Sequence, residues 1–347
     1  MVGVGEDLDP NHCGDYYKGV PTFSFLSKHP PPEYWPLLAI SAVLIVINGV
    51  VTVIAISKQR RFLEGASLVP ALRSITILLA FTIFAATSFS GMFSMRSSQY
   101  LHSIGETYEV CCILIFYENI CGHLRLHDFY DETDKIILTT GPCCCCLRCL
   151  KPVSASQKTV GRLRLGMKVS IILQILLQFV RTIRTFECEY QPNSTSGMVM
   201  NVTTITAFLF AMWGLVVMFR SGYKILAQYK YVGKFLAFKG MIFTSKFLYT
   251  VLSIIASYSK GSIPDYETEV DGKTVLILKD KSRLSIWTNF ISVVFTTTLL
   301  ALTYKLYDSK DYELYLEHDN STVKYQTKFS ENPNYKGENG ACREEDI

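Results

Sequence analysis

The chain has 347 residues, of which 49% are apolar and only 18% charged, and its mean hydropathy is +0.22. That charge content is below the quarter usual in soluble proteins. A net charge of +4 is too small to argue for a nucleic-acid partner.

Residues 1–34 are polar and Pro-rich. They lack a basic stretch leading into an apolar one, so no cleavable leader is expected. The first apolar run must then serve as its own insertion signal. That run, in a span predicted at 35–57, reads LLAISAVLIVINGVVTVIAIS and holds no charge. A second uncharged run, SITILLAFTIFAATSFSGMFSM, predicts a span at 74–95. Crossing a bilayer takes about 20 mostly apolar residues, and such runs must be helical within hydrocarbon. The third span, 101–121, is weaker: TYEVCCILIFYENI is short and carries Glu109 and Glu118. A long loop, 122–167, follows. Further spans are predicted at 168–187, 198–219, 234–258 and 284–305, the sixth holding Lys234, Lys239 and Lys246. The 307–347 tail is rich in Tyr, Asp, Glu and Lys and reads as disordered or peripheral. The expectation is an all-α polytopic membrane protein with seven transmembrane helices, 35–306 forming one domain.

Charge sets the orientation. With the N-terminus outside, the inside loops carry more than twice as many Lys and Arg residues as the outside ones, among them Arg60, Arg61, Arg125, Arg162, Arg164 and Arg220. This bias follows the positive-inside rule and makes the C-terminus cytoplasmic. The sequon Asn193-Ser194-Thr195 then falls outside and is a glycosylation candidate. Asn201-Val202-Thr203 is a second sequon, at the very start of a span, while Asn320-Ser321-Thr322 falls in the inside tail and should be silent. Tyr34 and Trp35 stand where an interfacial aromatic belt is expected.

The cysteines divide by compartment. Cys13 and Cys188 fall outside, where disulfides persist, and are a candidate pair; two separate thiols are the alternative. Cys111, Cys112 and Cys121 read as packing residues of the third span. In the long inside loop, TTGPCCCCLRCLKP crowds Cys143, Cys144, Cys145, Cys146 and Cys149 together. A reducing compartment disfavours a disulfide knot. Zinc sites space their ligands in pairs so that side chains converge, whereas adjacent cysteines diverge. S-acylation of juxtamembrane thiols fits better, because Arg148, Lys151, Arg162 and Arg164 favour an anionic leaflet and several acyl chains hold firmly.

These motifs carry a family resemblance. TGPCCCC followed by LRCLKP resembles the cysteine-rich loop of the organic solute transporter alpha subunit. YEVCC through FYEN and CGH resembles that family's third span, with Glu118 on its acidic position. GKFLAFKGMIF is similar to the opening of its sixth span, and LTYKLYDSKDYELY to the end of its last. The cysteine run here is shorter and interrupted by Leu147-Arg148, and the charged 260–282 loop is local to this chain. The resemblance implies seven spans, an outside N-terminus and a plasma-membrane location. It implies facilitated diffusion of amphipathic organic anions, of the bile acid or steroid conjugate class, with a single-span beta subunit as partner. Self-association into a homo-oligomer stays open.

Polar residues inside spans are costly and mark candidate function. Gln174, Gln178 and Arg181 recur at i, i+4 and i+7, so they share one face of the fourth span. Lys239, Phe243 and Lys246 do the same in the sixth. Amides and cations on two such faces suit the charged end of an amphipathic anion, and apolar walls suit its rings. Glu109 and Glu118 are placed to neutralise a lysine or order the third span. The structural alternative is that the cations snorkel and the glutamines join helices. No phosphate-binding loop and no metalloprotease histidine spacing is present, so neither an enzyme nor a cofactor is expected. The rival functions are a seven-span receptor or a membrane scaffold. Against a receptor, YENICGHLRLHD ends the third span without an acidic-Arg-Tyr triplet, and Asn332-Pro333 lies in the tail, not in the last span.

Overall fold

The computed structural model describes residues 23–60, 68–95, 97–126, 135–138, 151–186, 195–258, 266–270, 273–278 and 280–307. The fold is all-α in its body. A short α1 (Phe23–Lys28) leads into α2 (Tyr34–Gln59), α3 (Leu68–Phe93), α4 (Ser98–Leu126), α5 (Gln157–Phe186), α6 (Thr195–Ser221), a six-residue α7 (Tyr223–Gln228), α8 (Tyr231–Tyr258) and α9 (Asp280–Thr303). Two small antiparallel pairs were not predicted: β1 (Lys135–Ile136) with β2 (Val153–Ser154), and β3 (Tyr266–Val270) with β4 (Lys273–Leu278).

Among the described residues, five stretches are long and apolar enough to cross a membrane: Tyr34–Gln59, Leu68–Phe93, Lys158–Arg184, Thr195–Ser221 and Ser282–Leu306. The chain is a multi-pass membrane protein. Helices α4 and α8 are as long, at 29 and 28 residues. A helix of that length extends about 40 Å, more than the hydrocarbon core is thick. Pro36 and Pro70 sit in the first turns of α2 and α3, where the missing N–H breaks no helical bond. Helix α5 starts well before the predicted span because Ser156 caps it: Thr159 N donates to Ser156 Oγ at 3.3 Å.

The burial pattern is turned outward, as lipid requires. On α2, Val43, Val46, Val50 and Val53 are exposed, while Ser41, Asn48 and Thr52 are buried. Asn48 Nδ2 donates to Thr297 Oγ1 of α9 at 3.3 Å. Thr82 Oγ1 of α3 donates to Asn48 Oδ1 at 2.8 Å, which leaves Thr52 as the donor in its 2.6 Å bond to Thr82. With no apolar gain from helix association in lipid, such bonds hold helices together. The outer face of α5 is similarly apolar, with Val169, Ile172, Leu176 and Phe179 exposed.

Helix α3 lies between α2, α4 and α9; α9 also packs on α2 and α8, and α4 packs on α5 and α6. Helices α4 and α8 are held further apart and meet through long side chains. Phe116 stacks on Phe238 with centroids 5.2 Å apart, and Phe219 of α6 stacks on Phe235 of α8 at 4.2 Å. At one end of the bundle Arg283 Nε donates to Glu33 Oε1 at 2.8 Å, and Tyr34 Oη donates to the carbonyl of Met92 at 3.1 Å. At the other end Lys234, buried, lies over the rings of Tyr231 and Tyr307 at 4.7 and 5.2 Å. A desolvated cation over two rings is held by their quadrupoles.

Candidate functional site

Where α8 faces α4, α5 and α6 more loosely than those helices face one another, a largely buried polar cluster is found. Three residues of α4, His102, Glu106 and Glu109, stand at i, i+4 and i+7 and so share a face. Glu106 is the hub. Lys246 Nζ of α8 donates to its Oε1 at 2.7 Å, and Gln178 Nε2 of α5 donates to its Oε2 at 2.6 Å. His102 Nε2 is 3.3 Å from the same Oε1. One carboxylate thus connects three helices and balances the lysine. From α6, the Phe208 ring lies 5.6 Å from Lys246 Nζ.

One turn along α4, Ser245 Oγ of α8 donates to Glu109 Oε2 at 2.7 Å. Glu109 is 1% exposed, and its other oxygen has no hydrogen-bond partner. Gln174 of α5 is 3% exposed, and its Nε2 also lacks one. Buried groups left in this way are uncommon, and each costs the free energy of its lost hydration. Gln174 and Gln178 line a cavity with Glu106, Thr107, Thr204 and Lys246. Its volume is about 10 Å³, which is about the space one water needs. Amide donors, a cation and apolar walls from Val110 and Ile175 therefore converge on one small void.

The predicted site residues fall into two groups. Gln174, Gln178, Lys246 and Glu109 come together here, and Arg181 lies on the same α5 face two turns beyond Gln174. Lys239 and Phe243 are exposed on the outer surface of α8. Glu118 lies twelve residues from Glu106, about 18 Å along α4. It pairs there with Arg164 of α5, and Arg73 Nη1 of α3 donates to its backbone carbonyl at 3.2 Å. Asn201 is half-buried in α6. The candidates Cys13, Cys143, Cys144, Cys145, Cys146, Cys149, Cys188 and Asn193 lie outside the described residues. Cys111 and Cys112 are free thiols of α4, and Cys121 lies on the same helix. The residues missed by sequence reading are Glu106, His102 and Ser245. The i, i+4, i+7 spacing of His102, Glu106 and Glu109 was the available signal, the same one that singled out the α5 face. Among the described residues, no three His, Cys, Asp or Glu side chains converge to hold a metal ion.

Comparison with known proteins gives this site a context. The family model for the organic solute transporter Ostalpha matches residues 37–312. The organic solute transporter subunit alpha of Bos taurus is 24% identical over 272 residues, covering 72% of this chain and 79% of the relative. The subunit of the same name from Danio rerio is 23% identical over 246 residues, covering 65% and 74%. No solved structure matches. The matched segment runs from α2 through α9 and includes every residue of the polar cluster, and on that extent the chain belongs to the organic solute transporter Ostalpha family of membrane transporters.

Proposed function

We propose that this chain is a carrier for amphipathic organic anions, of the bile acid or steroid conjugate class, working by facilitated diffusion across the plasma membrane. The observation that carries the reading is the Glu106–Lys246–Gln178 cluster, largely buried where α8 packs loosely against α4, α5 and α6. Intramembrane ionisable groups are expensive and line substrate paths more often than they serve packing alone. In this reading α4 and α8 are the third and sixth of seven spans, the N-terminus is outside, and the C-terminus is cytoplasmic.

The state described is closed. A void of about 10 Å³ cannot admit a steroid, which needs a cavity in the range of roughly 300–1,000 Å³. Opening requires α8 to move away from α4 and α5, so the bond from Lys246 to Glu106 must break, while Gln178 of α5 can keep its bond to Glu106 of α4. The anionic head of a substrate can replace Glu106 as the partner of Lys246, and its rings can lie against Phe208, whose ring is 5.6 Å from Lys246 Nζ. The substrate thereby favours the open state through the interactions it makes only there. No energy source is needed for movement down a gradient.

The relatives are named as alpha subunits. That supports a separate partner, and we assign it the single-span beta type. The cysteines Cys143–Cys149 carry acyl chains in this reading, and Asn193 carries the outward sugar. The test is flux of a sulfated steroid into proteoliposomes containing the purified chain, with and without a single-span partner. Saturable flux that fails for an uncharged steroid is expected. Signalling on ligand addition with no flux in either arm would instead make the protein a receptor.

A further inference from the structure

We propose that a cleft lined by Lys135, Arg220 and Lys224 binds a phosphate-bearing lipid headgroup. The cleft has a volume of about 580 Å³ and is separate from the polar cluster described above. Its three cations come from distinct places: β1, the end of α6, and α7. All three side chains are exposed. Among the described residues the lining contains no Asp or Glu, and none of the three cations has an ion-pair partner. Like charges held together make a cleft whose potential attracts anions.

The frame that gathers them is fixed. Ile137 N donates to Ser221 Oγ at 3.0 Å, and Trp213 Nε1 donates to the carbonyl of Leu138 at 3.4 Å. Both bonds hold the β1 segment against the end of α6. Ile136 is fully buried, so β1 presents Lys135 on its outer side. At Gly222, where α6 turns into α7, a Cβ would come within 2.4 Å of Leu124 of α4. This close approach sets the angle at which Lys224 leaves the bundle.

Depth and shape indicate the ligand. Arg220 follows directly on the apolar run of α6, so the cleft opens at the boundary between hydrocarbon and water. Tyr223, half exposed, stands at the same level, as interfacial aromatic residues do. Ile137 and Ile225 supply apolar wall, against which glycerol and acyl carbons can lie. Arginine and lysine on phosphate form charge-assisted hydrogen bonds, bidentate for Arg220. The volume has room for a headgroup with more than one phosphate. A soluble phosphate compound shares this chemistry, so the experiment must separate the two sources.

The test uses the full chain purified in detergent and native mass spectrometry, with phosphatidylinositol bisphosphate and phosphatidylcholine as probes. The bisphosphate lipid should be retained and phosphatidylcholine should not. The triple variant Lys135→Gln/Arg220→Gln/Lys224→Gln should bind it about a hundredfold more weakly, at roughly one decade or less per removed cation. Lys168→Gln, an exposed cation away from the cleft, should bind as the wild type does. Thermal unfolding run beside each spectrum distinguishes a lost site from a lost fold, and Lys224→Glu alone should weaken binding without lowering the midpoint. Equal lipid retention in the triple variant overturns the site. Soluble inositol trisphosphate competing at the same concentration as the lipid overturns the lipid source, since the acyl carbons would then contribute nothing.

Discussion

Glu106 and Lys246 lie 140 residues apart in the chain and 2.7 Å apart in the fold. Their contact joins α4 to α8 across the gap through which substrate is proposed to pass. Lys246→Met keeps the bulk of the side chain and removes its charge. It leaves the largely buried Glu106 without its lysine, a loss below the roughly 3–5 kcal/mol of a fully buried pair because Gln178 and His102 remain beside it. Glu106→Gln/Lys246→Met should recover much of that stability, because neither charge remains. Anion handling should not recover: a charge-assisted hydrogen bond contributes about 1.5–3 kcal/mol, or one to two decades in half-saturation. Flux normalised to surface protein, measured with a sulfated and an uncharged steroid, checks this. If the double variant carries the anion as the wild type does, Lys246 is structural.

Glu106→Gln alone separates locking from binding. The lysine is kept but its partner is neutral, so an incoming anion no longer competes with a carboxylate. Half-saturation for the sulfated steroid should fall by about tenfold, corresponding to about 1.4 kcal/mol. A rise in half-saturation would show that Glu106 helps substrate bind and does not compete with it.

Serine at Cys143, Cys144, Cys145, Cys146 and Cys149 together should remove nearly all S-acylation and reduce delivery to the cell surface. Acyl-exchange labelling gives the first readout and surface biotinylation the second. Undiminished labelling refutes the anchor assignment.

Glycosylation reports the orientation. Asn193→Gln should remove most of any glycan mobility shift, and Asn320→Gln should change nothing. A sugar found on Asn320 would invert or break the seven-span topology.

Asn48 bonds to both α3 and α9. Asn48→Ala leaves Thr297 and Thr82 without their shared partner and should destabilise the protein by about 1–2 kcal/mol, near the upper range for interhelical bonds in lipid. Thermal unfolding in detergent measures it. An unchanged midpoint would mean that water or a rearranged threonine takes over both bonds.

The architecture was largely legible where hydropathy is uniform. Helices α2, α3, α6 and α9 follow from uncharged runs long and apolar enough to cross the bilayer. Helix α5 was legible only in its later part, because its first turns are basic and depend on the Ser156 cap. The α5 face of Gln174 and Gln178 was readable from spacing alone. Glu106 was not singled out, since its value lies in a lysine 140 residues away and in the gap between two helices. Lys239 shows the limit of the same method. It shares a nominal face with Lys246, but seven residues span two turns, and the bundle covers that face only near Lys246. The β1–β2 pair and α7 are too short to leave a periodic trace, though they frame the basic cleft.

The polar contacts of α2 also bear on how the protein is made. Its inward partners lie on α3, which follows at once, and on α9, the last described helix to be synthesised. Until α9 arrives, Asn48 faces a vacant place in the nascent bundle with an amide exposed to lipid. Completion of the bundle is therefore a late event of biogenesis. A ribosome stalled before Asp280 leaves an unassembled α2–α3 hairpin displaying a polar stripe, a form that membrane chaperones can retain and quality control can discard.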